Sequence, residues 1–309
     1  MKPFKNILVA TDTRLDKHPI VDEAVVLARR SGGALMLVDV VPVFSWVVRM
    51  TLPNHNEIRD SLVREKQEQL EMLAEPIRKK GVHVETQVLI GRTSVEIIRQ
   101  VLRGNHDLVL RVAKGKDSQR KGSFGTTGVR LLRECPCAVW LVVPAKSHQY
   151  QHVMACIDTL SEEWEDDELN DKVYESALLA SQYYGSKLSV VQAWRVFGEE
   201  FLLTRTSQKD FLRLLNEVHE RFTKLLDTFL QKHGTSAQAK NVHMLKGSTD
   251  HILPTFIHEQ QVDLVVMGTV ARRGAAGWVI GNTAEQMLDR IECSLLALKT
   301  DNFECPIKN

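Results

Sequence analysis

The sequence predicts an α/β protein made of two tandem copies of one domain. Each copy is a mostly parallel five-stranded sheet covered by helices on both faces. Three observations carry this reading. Short apolar runs alternate with amphipathic stretches along the whole chain, the pattern of a parallel sheet buried between helices. The chain also repeats itself: Asn6-Ile-Leu-Val-Ala-Thr-Asp12-Thr13 recurs as His152-Val-Met-Ala-Cys-Ile-Asp158-Thr159, and Glu23–Ala28 as Glu175–Ala180. Ile90-Gly91-Arg92, Asp107–Leu110, Gly125-Thr126 and Cys137 recur in the same order as Lys246-Gly247-Ser248, Asp263–Val266, Gly281-Asn282 and Cys293. Finally, 309 residues hold two ordinary domains of about 150 residues each. The boundary falls near Pro144 to Gln151, giving domains at 1–146 and 150–303.

In the first copy, apolar runs predict strands at about 6–11, 34–41, 83–89, 107–112 and 138–143, and helical periodicity falls at about 19–31, 56–80, 93–104 and 125–134. The second copy repeats the strands near 152–157, 187–193, 241–245, 263–268 and 294–299. It is longer in two places: an acidic run, Ser161 to Asp171, and a segment before Gly247. Its long helix carries Phe211, Leu215, Val218, Phe222, Leu225 and Phe229 at four-three spacing. That seam spans under three heptads and is read as packing on its own sheet rather than as a coiled coil.

Composition narrows the function classes. The chain is 43% hydrophobic and 26% charged, as soluble globular proteins are. No apolar run reaches the roughly 20 residues of a membrane helix, and Ile7–Ala10 is too short for a signal sequence, so a cytoplasmic location is expected. Lys plus Arg number 40 against 39 Asp plus Glu, so no global charge draws the chain to nucleic acid or membrane. Five cysteines, an odd and sparse set, suit a reducing compartment.

The most informative stretch runs from Val262 to Gln286: a buried-type strand, a loop rich in Gly and Arg, then Gly281-Asn282-Thr283 opening a helix. Free backbone N–H groups, a helix dipole and cations around one concavity suit an anion, phosphate above all. The segment resembles the C-terminal half of a universal stress protein domain, whose nucleotide-binding members read G-x2-G-x9-G-[ST] here. Gly268, Ala271, Gly281 and Asn282 occupy those positions. The resemblance covers essentially the whole chain, once per repeat, and Gly281-Asn-Thr-Ala-Glu-Gln286 is similar to the tandem, two-domain UspE-type branch of the family. It implies a Rossmann-like fold, a cytoplasmic protein and a role in stressed, growth-arrested cells. Some family members bind ATP and others do not.

The resemblance also implies site residues. Copy two offers Asp158, Gly268, Ala271, Arg272, Gly281, Asn282 and Thr283. Copy one offers Asp12, Val40, Gly115, Gly125 and Thr126, with Val112 in place of the first loop glycine. The ligand implied is ATP or another adenine nucleotide with Mg²⁺. Val112 is a poor tenant where backbone must approach phosphate or take positive φ. Ala271 adds one methyl group, and Asn282 still caps a helix. Copy two is therefore the better nucleotide candidate. Competing readings stand beside each residue. A glycine-bearing strand-to-helix turn needs no ligand, and an Asp at a strand's end equally braces a turn. Arg272 and Arg273, like Lys114, Lys116, Arg120 and Lys121, are either phosphate partners or solvated loop charges. The acidic run at 161–171 disfavours a polyphosphate nearby unless a metal intervenes.

No G-x4-G-K-[ST] loop and no G-x-S-x-G elbow occurs, which sets aside P-loop and α/β-hydrolase chemistry. No catalytic base is evident, so no catalytic residue is assigned and any ATP hydrolysis is expected to be slow. Cys135-Pro-Cys137 lacks a second cysteine pair to complete a zinc site and reads as core packing. His251 and His258 lie seven residues apart on one predicted helix, roughly 10 Å along its axis, so a metal would need His243 as well. The expectation is a regulatory, non-enzymatic protein whose domains pair through Ala138–Val143 and Ser294–Lys299 as an internal pseudo-dimer. Pairing of whole chains into a homodimer and binding of partner proteins stay open. The alternatives are a slow ATPase or nucleotide-dependent enzyme, and a carrier or scaffold whose loops are relics.

Overall fold

The computed structural model describes residues 4–15, 17–114, 124–144, 150–160, 164–269, 271–274, 277–280 and 287–308. The chain forms two compact units, the first of residues 1–148, 269–280 and 292–309, the second of 149–268 and 281–291.

In the first unit, β1 (Asn6–Ala10), β2 (Ala34–Val41), β3 (Val84–Ile90), β4 (Leu108–Val112) and β5 (Ala138–Val142) lie in the order β3-β2-β1-β4-β5, all parallel. Ile7, Leu8, Val9, Leu108, Val109 and Leu110 are fully buried, which is why these strands read as continuous apolar runs. The crossovers are α1 (Pro19–Ser31), α3 (His55–Lys79), α4 (Thr93–Gly104) and α5 (Thr126–Glu134). Pro19 opens α1 at the position where its missing N–H costs nothing. Gly32 ends it at φ 64° with its N–H donated to Ala28 O, a left-handed cap that suits glycine. The chain turns back between β3 and β4, so β1 and β4 flank the switch point where open sheets of this class place ligands.

The second unit repeats the plan. Its strands are β6 (His152–Cys156), β7 (Lys187–Trp194), β8 (Val242–Lys246) and β9 (Leu264–Gly268), in the order β9-β6-β7-β8 and parallel. Its helices are α6 (Trp164–Tyr184), α8 (Gln208–Lys232) and α9 (Thr249–Glu259). Phe211 and Phe229 of the α8 seam are buried, whereas Leu225 is exposed and Leu226 takes the buried place. A straight helix of 3.6 residues per turn drifts away from a 3.5-residue seam.

The strands and main helices fall within a residue or two of the sequence expectations. Three features do not follow from the apolar pattern. Short helices α2 (Trp46–Thr51) and α7 (Glu199–Leu203) follow the second strand of each repeat. They leave Trp46, Met50 and Phe201 exposed, so no buried face gives them a periodic signature. The glycine-rich segment, expected as an open loop, holds a two-stranded antiparallel ribbon of β10 (Ala271–Gly274) and β11 (Gly277–Ile280). The last strand, β12 (Ser294–Leu298), comes from the second repeat but pairs antiparallel with β5 in the first unit, Leu296 opposite Trp140. Val143 N donates to Ser294 Oγ at 3.0 Å at the end of that ladder. No helix of the described residues is long and apolar enough to cross a membrane.

Candidate functional site

The carboxyl ends of β1, β2 and β4 meet in a web of charge. Asp12, two residues beyond β1, accepts from Arg14 three times: from its N–H at 3.2 Å, Nε at 2.8 Å and Nη2 at 2.7 Å. The first of these closes an Asx turn; the other two make a bidentate pair. Burial pushes the Asp12 carboxyl up, but the Arg14 bonds and charge, with that of Lys66, outweigh it and hold it below the usual carboxylate range.

Asp39, buried on β2, is the centre of the web. Its Oδ2 accepts from Thr13 N at 2.8 Å, Thr13 Oγ1 at 2.6 Å and Lys66 Nζ of α3 at 2.6 Å. Its Oδ1 accepts from Val40 N at 2.6 Å. Arg111 enters from β4, donating to Ala10 O at 3.4 Å, and its guanidinium feels the charges of Asp12 and Asp39. Burial lowers its pKa, and those two carboxylates oppose the fall. The loop glycine is engaged as well: Gly125 caps α5, and its N–H donates to Ala113 O at 2.7 Å.

Among the predicted residues of this repeat, Asp12 and Val40 border the same web: Asp12 is engaged by Arg14, and Val40 N donates to Asp39. Gly125 and Thr126 open α5, and Gly115 lies outside the described residues, as do Lys116, Arg120 and Lys121. Lys114 is exposed. At the described part of this edge Asp12, Asp39 and Arg111 are engaged with one another or with neighbouring groups, and Val112 occupies the first glycine position.

The second unit keeps the brace and changes the charges. Thr159 N and Oγ1 donate to Gln192 Oε1 at 3.3 Å and 2.9 Å, as Thr13 does to Asp39. Gln192 on β7 is fully buried, and its Nε2 has no hydrogen-bond partner among the described residues. Asp158 makes the same turn as Asp12, accepting from Leu160 N at 3.1 Å. Leu160 stands where the first repeat has Arg14, and Met267 where it has Arg111. The ionic web is thus absent at these positions, and one buried amide donor is left unpaired. An orphaned donor of this kind, costly unless something accepts from it, fits an acceptor-bearing ligand such as a nucleotide.

The acidic run proves to be mostly helix. From Trp164 onward it forms the start of α6, with Asp167 and Glu168 exposed. Asn170 holds the backbone of Asp158 from both sides: its Oδ1 accepts from Asp158 N at 3.0 Å and its Nδ2 donates to Asp158 O at 2.8 Å. Asp171 pairs with His233 Nε2 at 2.8 Å. Leu169 packs over Gly268, where an added Cβ would stand 2.5 Å from Leu169 Cδ2. A side chain at 268 would force Leu169 to shift, so Gly268 has a packing reason whatever a ligand asks of it.

Ala271 and Arg272 lie on β10, in the first unit, opposite Ile280 and Val279. An extended strand accommodates alanine without strain. Gly281, Asn282 and Thr283 lie outside the described residues. Among the described residues no group of three or more His, Cys, Asp or Glu is placed to hold a metal. His251 Nδ1 meets Arg290 Nη1 at 2.8 Å, and His243 packs on Phe256.

Sequence reasoning missed Asp39, Lys66, Arg111, Leu169, Asn170 and Gln192. A signal existed for three. Asp39, Arg111 and Gln192 are the polar residues deep inside otherwise apolar strands, and buried polar groups are the informative ones. Lys66 sits in a helix crowded with charges and carries no such mark.

Comparison with known proteins follows this geometry. The sequence profile of the universal stress protein family matches residues 3–143 and again 149–299. Proteins called universal stress protein E from Salmonella typhi and Escherichia coli K12 are each 28% identical over 314 residues, spanning 100% of this chain and 98% of their own. A functionally unknown protein from Pseudomonas aeruginosa PAO1 has the same fold, with a TM-score of 0.75 at 21% identity over 97% of this chain and 94% of its own. A universal stress protein from Archaeoglobus fulgidus aligns with a TM-score of 0.60 at 15% identity, over 96% and 98%.

Proposed function

The chain belongs to the universal stress protein family, in tandem form, and on that premise we propose that it is a cytoplasmic, non-enzymatic regulator whose second repeat senses an adenine nucleotide. The observation that carries this reading is the contrast at one equivalent position. Asp39 in the first repeat accepts from Thr13, Val40 and Lys66, whereas Gln192 in the second keeps a buried Nε2 without a partner among the described residues. The second edge also lacks the arginines that close the first. A duplicated domain can retain sensing in one copy and convert the other into a rigid, self-satisfied support.

In this reading Asp158, Gly268, Gly281, Asn282 and Thr283, all of the second unit, form the ligand's surroundings. The Gly281-Asn282-Thr283 sequence is the part of the repeat that offers phosphate contacts. The two repeats act as a covalent pseudo-dimer through their last strands; the antiparallel ladder of β12 on β5 supports this.

Calorimetric titration of the full chain with ATP and Mg²⁺ tests the proposal, with Gly281→Trp and Gln192→Leu alongside. Micromolar binding that vanishes in Gly281→Trp and weakens about tenfold in Gln192→Leu, the worth of one hydrogen bond to a buried donor, is the expected result. No heat at any attainable nucleotide concentration overturns the sensing role and leaves the loop as a relic of the fold.

A further inference from the structure

Away from the nucleotide edge, the densest chemistry lies where α5 ends and β5 begins. Pro136 bends the chain between Cys135 and Cys137, and their Sγ atoms stand 3.6 Å apart. Cys135 is fully buried, while Cys137 is partly exposed. Lys299, one residue beyond β12, buries its ammonium beside them. It donates to Leu132 O and, at 3.4 Å, to Arg133 O, and it lies 4.4 Å from the centre of the Phe303 ring. Burial lowers its pKa to about 8, and charge on Cys135, Cys137 and Cys305 opposes the fall; Cys305 Sγ donates to Glu134 O at 3.2 Å.

We propose that Cys135 and Cys137 are a reversible dithiol–disulfide centre, oxidised by a peroxide, with Cys135 as the attacking sulfur and Lys299 as the cation that supports its thiolate. Several features converge on this assignment. A disulfide needs its sulfurs about 2.05 Å apart, so closing the bond asks for a shift of about 1.5 Å between atoms already in contact. The hydrogen bonds of the Lys299 ammonium go to neutral carbonyls, and a buried charge of that kind is costly without a counter-charge; a thiolate supplies one. Burial pushes the Cys135 thiol up, but the Cys137 S–H and N–H donated to it and the Lys299 charge outweigh this and hold it below the ordinary thiol range. Burial and the neighbouring Cys135 push Cys137 well up, so it keeps the proton until the second step. Packing alone, the reading the sequence favours for this pair, asks for neither the buried cation nor the close sulfur contact.

The chemistry balances within the pair and one hydrogen peroxide. The Cys135 thiolate attacks a peroxide oxygen; the O–O bond breaks, and hydroxide leaves as water after taking a proton, with sulfenic acid on Cys135. Cys137 Sγ then attacks that sulfur. The S–S bond forms, the S–O bond breaks, and the departing hydroxide takes the Cys137 proton as a second water. Two thiols have lost two electrons and two protons, and a small dithiol reductant reverses the change.

Both cysteines fall in one tryptic peptide, residues 134–146, which makes the test direct. The full-length protein is treated with hydrogen peroxide, blocked with an alkylating reagent and digested. The expected peptide is two hydrogens lighter than its reduced form and unalkylated, and returns to the doubly alkylated form after dithiothreitol. Finding both cysteines alkylated after peroxide, or either one joined to Cys305, overturns the proposal. In Cys137→Ser, a dimedone adduct is expected on Cys135; an adduct on any other cysteine alone overturns the assignment of the attacking sulfur. Lys299→Met is expected to slow oxidation roughly tenfold through the lost thiolate fraction, and an unchanged rate removes lysine from the centre. Should that variant fail to fold, the peptide and the dimedone adduct still decide.

Discussion

Lys66 Nζ lies 2.6 Å from Asp39 Oδ2, an ion pair closed over the sheet edge with both side chains largely withdrawn from water. The second repeat builds the same brace from Thr159 and Gln192 without any charge. Duplication has thus produced two solutions to one structural problem, the anchoring of the chain as it leaves the first strand. The charged solution is self-contained, and the neutral one leaves a donor unpaired.

Breaking the pair from one side should be costly. Lys66→Met takes the paired cation from buried Asp39, leaving it the Thr13 and Val40 donors and the Arg111 charge, and a loss of about 3 kcal/mol, the low end for breaking a buried pair, is expected. Adding Asp39→Gln, the residue type of the second repeat, should recover most of it. Urea denaturation of both single variants and the double variant gives the coupling, and additive losses would mean the pair contributes nothing specific.

Glu23 on α1 is buried, with Oε1 lacking a hydrogen-bond partner among the described residues. Burial, and then the neighbouring Asp22 charge, pushes its carboxyl up to about 8 from 4.5. The folded chain therefore holds a proton that the unfolded chain releases, so stability should fall as pH rises from about 4.5 to 8. The slope is at most about 1.4 kcal/mol per pH unit. Glu23→Gln mimics the protonated form. It should flatten that slope and stabilise the protein at pH 7 by about 2–3 kcal/mol, discounted from the full linkage value for relaxation around the group. Thermal melts between pH 5 and 8 check both.

Arg14→Ala should release the Asp12 carboxyl upward, since burial alone raises it and Arg14 supplies the largest opposing interactions. The depressed carboxyl stabilises the fold above its ordinary range and loses that contribution as pH falls, so the variant should be less sensitive to acid while less stable at neutral pH. NMR titration of the Asp12 side chain reads the shift directly; an unmoved titration would mean that Lys66 and the backbone hold the charge without Arg14.

Gly268→Ala should destabilise the second unit by about 1–3 kcal/mol, the ordinary cost of overpacking, because the new methyl group meets Leu169. Pairing it with Leu169→Ala should relieve the clash but open space under α6. If Gly268→Ala leaves the denaturation midpoint unchanged, the glycine is kept for a ligand rather than for the helix.

The sequence by itself determined the duplication, the family, the parallel α/β plan and nearly every strand and main helix. Each of these is written in local periodicity: Ile7–Ala10 and Leu108–Leu110 are buried on both faces, and an apolar run says so without reference to any neighbour. It also placed Asp12 and Asp158 just beyond the ends of β1 and β6. Tertiary structure alone decided what those carboxylates meet. Lys66 reaches Asp39 across 27 positions of chain, Arg111 reaches Ala10 across 101, and β12 joins β5 from the far end of the second repeat. Such partnerships depend on which surfaces the crossovers bring together, and a residue's own surroundings in the chain carry no record of them. The contrast between Asp39, satisfied, and Gln192, whose Nε2 has no partner among the described residues, emerges only once both edges are assembled. It is there that the two copies of one domain differ in chemistry.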